Sequence, residues 1–216
     1  MNKISLIILL SLIFLLQNAK AQVTVESAQL YKEFSSIEEA LKNPEKVYRL
    51  NLSNQNFLIP DTLWSKFQNL QYLSLKNDHL KQIPIGIGDL KNLKVLDLSG
   101  NEFKNLPLSF SNLVNLQELY LNDNKNFLFK KSIPILSQLS NLKSLHLEND
   151  GLKYLPKNMY KLNQVESLFL NNNQFKQIPK EIKNLANLKY LDFHDNMLRR
   201  PPIGIQDQNF GIKITF

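Results

Sequence analysis

The sequence predicts an α/β repeat solenoid, in which short parallel strands stack into one sheet and turns return the chain on the opposite side. Two observations carry this prediction. Leucine columns recur every 23 residues, and each repeating unit begins with the alternation of apolar and polar residues that is typical of a strand. Because one unit of this size cannot bury its own apolar face, neighbouring units must stack to form a continuous core.

The first segment of the chain stands apart from the repeats. Residues 4–16 are apolar apart from two serines, and this run is shorter than the ~20 residues of a membrane-spanning helix. Ala19-Lys20-Ala21 provides a small-residue cleavage site, so we expect residues 1–21 to be a signal peptide. An uncleaved anchor or a buried core helix is the alternative. We therefore expect export to the periplasm, the cell surface or the medium.

Residues 22–46 are expected to cover the N-terminal end of the solenoid. A short helix is predicted over residues 36–42, with Ser36 as its N-cap and Glu39 completing a capping box. Pro44 prevents the helix from continuing. Its apolar residues would cover the open end of the first unit, as the terminal units of solenoids must.

Residues 47–216 contain seven full units and a partial eighth. The units begin at Val47, Leu70, Leu93, Leu116, Leu142, Val165 and Leu188. The fourth and sixth positions are leucine in nearly every unit, which predicts that these side chains point inward. The ninth position is always an amide or a carboxylate: Gln55, Asp78, Asn101, Asn124, Asp150, Asn173 and Asn196. An amide here can hydrogen-bond the backbone of the neighbouring coil, and a following proline predicts loose or 3-10 turns on the outer side.

These columns resemble the common 23-residue leucine-rich repeat, L-x-x-L-x-L-x-x-N-x-L-x-x-L/I-P-x-x-I-x-x-L, from residue 47 to residue 210. The resemblance implies a horseshoe with a parallel β-sheet on its concave face and a macromolecule bound to that face. Ile214 and Phe216 continue the inward strand positions. We expect an uncovered strand edge there to favour a homodimer. The alternative is a monomer in which residues 206–210 shield the edge.

Composition and motifs argue against several classes of function. The chain has no cysteine, which excludes disulfides and thiolate metal sites and mildly favours a bacterial envelope protein. No hydrolase or phosphate-binding motif is present, so we expect neither an enzyme nor a cofactor. His146 and His194 start roughly 10 Å apart on outward strand positions, which predicts solvated histidines and no metal site.

The net charge of +7 invites a nucleic-acid interpretation, but the sorting of charges by face weakens it. The expected concave face mixes both signs, and the excess lysines fall on the outer turns. We therefore expect no nucleic-acid partner, and contact with a membrane only through export or surface association.

One group of side chains on the expected concave face is a candidate binding site. Tyr120, His146, Phe169 and Tyr190 fall on neighbouring strands of the expected concave sheet. Exposed aromatic side chains with a polar rim are typical of protein-binding hot spots. The candidate binding residues are Tyr72, Glu118, Tyr120, Lys143, His146, Glu148, Phe169, Tyr190 and Asp192. Two alternatives stay open: these aromatics stack on sugar rings in a carbohydrate-binding or adhesion module, or they merely suit exposed strand positions.

Overall fold

The computed structural model describes residues 32–56, 59–198 and 211–216. Its nine described strands pair in chain order, all parallel, in one sheet. The strands are β1 (Glu33–Phe34), β2 (Arg49–Asn51), β3 (Tyr72–Ser74), β4 (Val95–Asp97), β5 (Glu118–Tyr120), β6 (Ser144–His146), β7 (Ser167–Phe169), β8 (Tyr190–Asp192) and β9 (Lys213–Thr215). This architecture confirms the predicted solenoid. The predicted signal peptide and the proposed shield at 206–210 lie outside the described residues.

Each strand is short because only three residues per unit alternate between the core and the sheet surface. Leu96 of β4 is fully buried between two partly exposed neighbours, and the same arrangement recurs in β5 and β7. The register is one unit per strand, so that Leu96 pairs with Leu119 and Leu119 pairs with Leu145. Side chains at one repeat position therefore lie side by side across the sheet.

The N-terminal cap contains a strand that the sequence analysis did not predict. β1 pairs with β2 and extends the sheet by one strand. The helix that follows, α1 (Ile37–Ala40), is shorter than expected, but Ser36 does cap it by accepting the Glu39 N–H at 3.3 Å. The Glu39 carboxylate pairs with Lys32 at 3.1 Å and does not complete the capping box. Ile37 and Ala40 are buried, as expected for a cap.

The convex side contains both 3-10 and α-helical segments. The 3-10 segments Ile85–Asp89, Leu108–Asn112, Lys157–Lys161 and Lys180–Asn184 each follow one of the repeat prolines, as predicted. Two units use α-helices instead, α2 (Asp61–Trp64) and α3 (Phe129–Leu136). The longer α3 lies in the unit that begins at Leu116, which has an insertion of three residues relative to the other units. Phe129, Ile133 and Leu136 bury one face of this helix. The sequence predicts only irregular or 3-10 turns on this side, so the two α-helices are a difference from that prediction.

Residues at the ninth repeat position form an amide ladder beneath the sheet, which consists of Gln55, Asp78, Asn101, Asn124, Asp150, Asn173 and Asn196. The Asn101 NH2 group donates to the carbonyl oxygens of Leu75 and Leu98 at 2.8 and 3.0 Å. Its Oδ1 accepts the N–H groups of Asp78 and Leu80 at 3.2 and 3.0 Å. Asn124, Asn173 and Asn196 make equivalent bonds to two carbonyls. The ladder therefore satisfies backbone groups that the sheet leaves unpaired, as predicted.

The C-terminal strand differs from the expectation in one respect. β9 pairs with β8, but Phe216 is 47% exposed and Ile214 is only half-buried. The prediction that both side chains are buried was wrong, because β9 ends at Thr215 and contacts only β8 in the described sheet. In the described ranges of the chain, no helix has the length and apolar character needed to cross a membrane.

Candidate functional site

The candidate site lies on the concave face of strands β5 to β8. The register places Tyr120 beside His146, His146 beside Phe169, and Phe169 beside Asp192. Glu118 and Tyr190 occupy the other outward position of β5 and β8. Because neighbouring strands lie ~4.8 Å apart, large side chains at these positions must touch.

Four rings form a continuous row, which we call the aromatic stack: Tyr120, His146, Phe169 and Tyr190. The Tyr120 and His146 ring centroids are 3.9 Å apart with an interplanar angle of 17°. His146 and Phe169 are 4.0 Å apart at 6°, and Tyr190 then meets Phe169 at 5.5 Å and 56°. Tyr120, Phe169 and Tyr190 are half-buried, less exposed than the sequence predicted, because each ring covers its neighbour.

His146 is the centre of the stack, and it is buried. It is 6% exposed, so the prediction of a solvated histidine was wrong. Tyr120 and Phe169 cover its two ring faces, while Nε2 lies 3.0 Å from Glu118 Oε1 and Nδ1 lies 3.1 Å from Glu148 Oε1. The ring is therefore held between two carboxylates, with each nitrogen within hydrogen-bond distance of one of them.

Tyr120 joins the same network through its hydroxyl group. The Tyr120 O–H donates to Glu118 Oε1 at 2.8 Å. Burial raises the pKa of Tyr120 above its ordinary value, and the hydrogen bond to Glu118 and the charges of Glu118, Asp97 and Glu148 raise it further. The phenol is therefore a neutral donor that helps to fix the position of Glu118.

Four carboxylates of β4, β5 and the turns after β5 and β6 form what we call the acidic rim: Asp97, Glu118, Asp123 and Glu148. Asp97 Oδ1 accepts from the Ser99 N–H at 2.9 Å and from its hydroxyl group, and Asp123 accepts from Asn122 and Asn149. Glu148 Oε2 is buried without a hydrogen-bond partner. Among the described residues, no lysine or arginine lies within 4.0 Å of a rim carboxylate, and only His146 forms an ion pair there.

Elsewhere on the concave face, next to the start of β7, lies a carboxylate that is fully paired. Glu166 binds Lys143 at 2.8 Å and also binds Lys189. Hydrogen bonds from these two lysines lower the pKa of Glu166 to about 2. Lys143 was expected from the sequence to frame the aromatic side chains, and in the structure it pairs with Glu166. Asp192 likewise pairs with Nδ1 of His194.

Two rings on this face, Tyr72 and the last ring of the stack, have a cation of the chain itself nearby. The Arg49 guanidinium lies 4.1 Å from the centroid of Tyr72 and pairs with Glu33 at 3.2 Å. At the other end, Lys213 Nζ lies 5.9 Å from the centroid of Tyr190. Tyr72 is separated from the stack by Val95 and Asp97 of β4, so this predicted site residue is not part of the cluster.

Six of the nine predicted site residues therefore come together: Glu118, Tyr120, His146, Glu148, Phe169 and Tyr190. Asp97 and Asp123 were not among the predicted site residues, although Asp97 is the register neighbour of Tyr120. The described part of the chain contains no group of three or more His, Asp or Glu side chains suited to a metal ion. The arrangement offers a binding surface with one aromatic row and a group of carboxylates around its Tyr120 and His146 end.

Comparison with known proteins identifies the repeats. A family profile described as "Leucine-rich repeat region" matches residues 53–134, and one described as "Leucine Rich Repeat" matches residues 164–185. A leucine-rich repeat protein of Leptospira interrogans is 31% identical with a TM-score of 0.62, over 86% of this chain and 52% of that one. The chain is a leucine-rich repeat protein. It spans about half the length of the Leptospira chain.

This leucine-rich repeat protein also resembles two solved complexes. A chain of the Drosophila Toll–Spatzle complex is 20% identical with a TM-score of 0.65, over 78% of this chain and 22% of that one. A chain of the mouse RP105/MD-1 complex is 28% identical with a TM-score of 0.60, over 76% of this chain and 28% of that one. No curated protein sequence matches this one significantly. Leucine-rich repeat domains generally mediate protein–protein interactions and are generally non-enzymatic.

Proposed function

We propose that this leucine-rich repeat protein is a non-enzymatic, exported module that binds a protein partner on its concave sheet. The aromatic stack is the observation that carries the proposal. Tyr120, Phe169 and Tyr190 present half-exposed ring surface in one row, and aromatic side chains of this kind dominate protein interfaces.

The rigidity of the surface supports the same proposal. Each ring of the stack rests on its neighbours, and His146 is held by hydrogen bonds to Glu118 and Glu148. Binding to side chains that are already ordered loses little conformational entropy. A partner therefore meets a preformed surface on a rigid parallel sheet.

A cross-linking pull-down from an extract of the cells that make the protein tests this proposal. The test variant carries Tyr120→Ala and Phe169→Ala, and circular dichroism must first show that it is folded. The matched control carries Lys157→Ala and Lys180→Ala, two substitutions in the 3-10 segments of the convex side. We expect the parent and the control to capture the same protein and the test variant to lose it.

Capture that survives in the concave variant but disappears in the lysine variant would place the site on the convex side and refute the proposal. A glycan-array signal that depends on Tyr120 and Phe169, with no captured protein, would instead identify a carbohydrate-binding module.

Export is a separate part of the proposal and rests on the apolar run and on Ala19-Lys20-Ala21. Mass analysis of the mature protein should find Gln22 as its first residue, and a protein that retains Met1 in a membrane fraction would contradict this. The homodimer through the C-terminal strand edge stays a prediction, which light scattering across micromolar concentrations can check.

A further inference from the structure

The carboxylates of the concave face differ in whether a lysine or arginine neutralises them. Glu166 is neutralised by Lys143 and Lys189, whereas His146 is the one basic residue among the described residues that contacts a carboxylate of the acidic rim. The rim therefore keeps a net negative charge in a chain whose formal net charge is +7. A local field of this kind attracts a cationic group and repels an anionic one.

The tyrosine rings of this face also differ in whether a cationic side chain is stacked on them. Tyr72 is covered by the Arg49 guanidinium, which also pairs with the carboxylate of Glu33. Tyr120 has the same two components, an aromatic ring and nearby carboxylates. His146 covers one face of its ring, and the other face lies on the side of β4, where Asp97 is its register neighbour. In the described ranges, no lysine or arginine is stacked on Tyr120.

We infer that the protein partner of the concave face inserts a lysine or arginine side chain over Tyr120, between Asp97 and Glu118. This inference rests on the proposed function and names the chemistry of its partner. A guanidinium group fits best, because it stacks on an aromatic face and binds a carboxylate in the same plane. The site would then repeat, between two molecules, the arrangement that Glu33, Arg49 and Tyr72 make within one.

Two peptides of defined sequence test the inference by NMR titration of the full protein. One is Gly-Ser-Arg-Ser-Gly amide, and the other has Glu in place of Arg. We expect the Arg peptide to give saturable shifts of the Tyr120 and His146 ring signals that weaken as salt is raised. We expect no such shifts from the Glu peptide, since the acidic rim repels it.

Asp97→Asn is the decisive variant, because it removes one rim charge without touching His146. Asp97 Oδ1 bonds only the backbone and side chain of Ser99, and an asparagine oxygen keeps both bonds. We expect affinity for the Arg peptide to fall about fivefold or more, in line with an ion pair formed near an aromatic face. Glu166→Gln removes a charge from the same sheet at a site that is already neutralised, so affinity should change less than about twofold.

Equal shifts by both peptides, shifts by neither, or an affinity that follows Glu166 and ignores Asp97 would overturn the inference. These outcomes leave the proposed function intact as long as the pull-down still depends on Tyr120 and Phe169. Loss of that dependence in the pull-down refutes the proposed function itself. The two failures are therefore distinguishable.

Discussion

Asp150 in the amide ladder and Glu166 on the concave face are both carboxylates, and their surroundings move their pKa values in opposite directions. Burial raises the pKa of Asp150 to about 8, despite a hydrogen bond from the Asn124 N–H. Two lysines lower the pKa of Glu166 to about 2. In the interior of the solenoid, the repeat position determines the environment of a side chain. On the concave face, the environment depends on which side chains the neighbouring strands carry.

The structure around Asp150 explains why the interior disfavours its charge. Asp150 Oδ1 accepts the Asn124 N–H at 2.7 Å, as an asparagine would, but Oδ2 is buried without a partner. At the neighbouring positions of the ladder, Asn124 and Asn173 have an NH2 group that donates to two carbonyl oxygens. A carboxylate oxygen in this place faces acceptors and cannot donate unless it is protonated.

The largest expected effect comes from the leucine columns of the interior. Leu121 and Leu147 are fully buried in adjacent units. Leu147→Ala should lower the free energy of unfolding by about 2–5 kcal/mol, through lost burial and the cavity that remains. Urea denaturation measures this change, and Leu121→Ala should give a similar value. A loss below about 0.5 kcal/mol in both variants would contradict the packing of these columns.

The amides of the ladder should matter next. Asn173 accepts the N–H groups of Asp150 and Leu152 and donates to the carbonyls of Leu147 and Leu170. Asn173→Ala leaves these buried backbone groups unpaired and should cost about 1–3 kcal/mol. Denaturation is again the measurement, and Asn105→Ala serves as the control because the Asn105 side chain is exposed and its backbone φ angle is not positive. If both variants lose the same stability, the ladder has no special role.

Asp150→Asn tests the comparison directly and should stabilise the protein. The folded pKa of Asp150 is about 8 and the ordinary value is 3.8. The stabilising effect of its proton is therefore complete below pH ~3.8 and is lost as the pH rises towards about 8, because the unfolded chain releases the proton first. The variant should remove this decline and gain about 1–3 kcal/mol at pH 8, since it restores a donor to buried carbonyls.

Asn173→Asp is the reverse substitution and the matched control for Asp150→Asn. It should introduce a second decline of stability with rising pH at an equivalent ladder position. Stability curves measured by thermal or urea denaturation between pH 4 and pH 9 would show both effects. A parent whose stability rises across this range, with no change of slope in Asp150→Asn, would show that Asp150 is charged in the folded protein.

Most of the interior could be predicted from the sequence, because one repeat position corresponds to one environment. The leucine columns, the Asn101-type bonds and the prolines before the 3-10 segments all follow from the period of 23 residues. The features that were missed depend on departures from that period. Helix α3 lies in the unit that has the insertion, and β1 lies before the first recognisable unit.

The concave face could be predicted less well, because contacts there depend on neighbours in other strands. The repeat register correctly placed Tyr120, His146 and Phe169 side by side. Outward position alone wrongly suggested a solvated His146, since two large rings on either side exclude water from it. A polar ring between two aromatic residues in the same column was the signal that could have indicated burial.

The aromatic stack should therefore contribute a moderate amount to stability. Tyr120→Ala uncovers one face of the buried His146 and removes the hydrogen bond to Glu118. Stacked aromatic pairs contribute about 0.5–1.5 kcal/mol beyond their burial, so unfolding should become easier by at least that amount. Outward position alone would instead predict an unchanged melting temperature. Tyr154→Ala, in which an exposed ring is removed, is the control that should leave the melting temperature unchanged.

Glu166→Gln should give the smallest effect and completes the comparison with Asp150. The pKa of Glu166 is lowered from 4.5 to about 2, so its stabilising contribution is present above pH ~4.5 and is lost as the pH falls towards 2. This dependence on pH is opposite in sign to that of Asp150 and lies in a different range. Because the pairs with Lys143 and Lys189 are exposed to solvent, salt should screen them, and the variant should match the parent at neutral pH in high salt. A clear loss of stability that persists in high salt would show that Glu166 stabilises the fold by more than solvent-exposed ion pairs. The repeat position would then determine the contribution of a side chain on the concave face as it does in the interior.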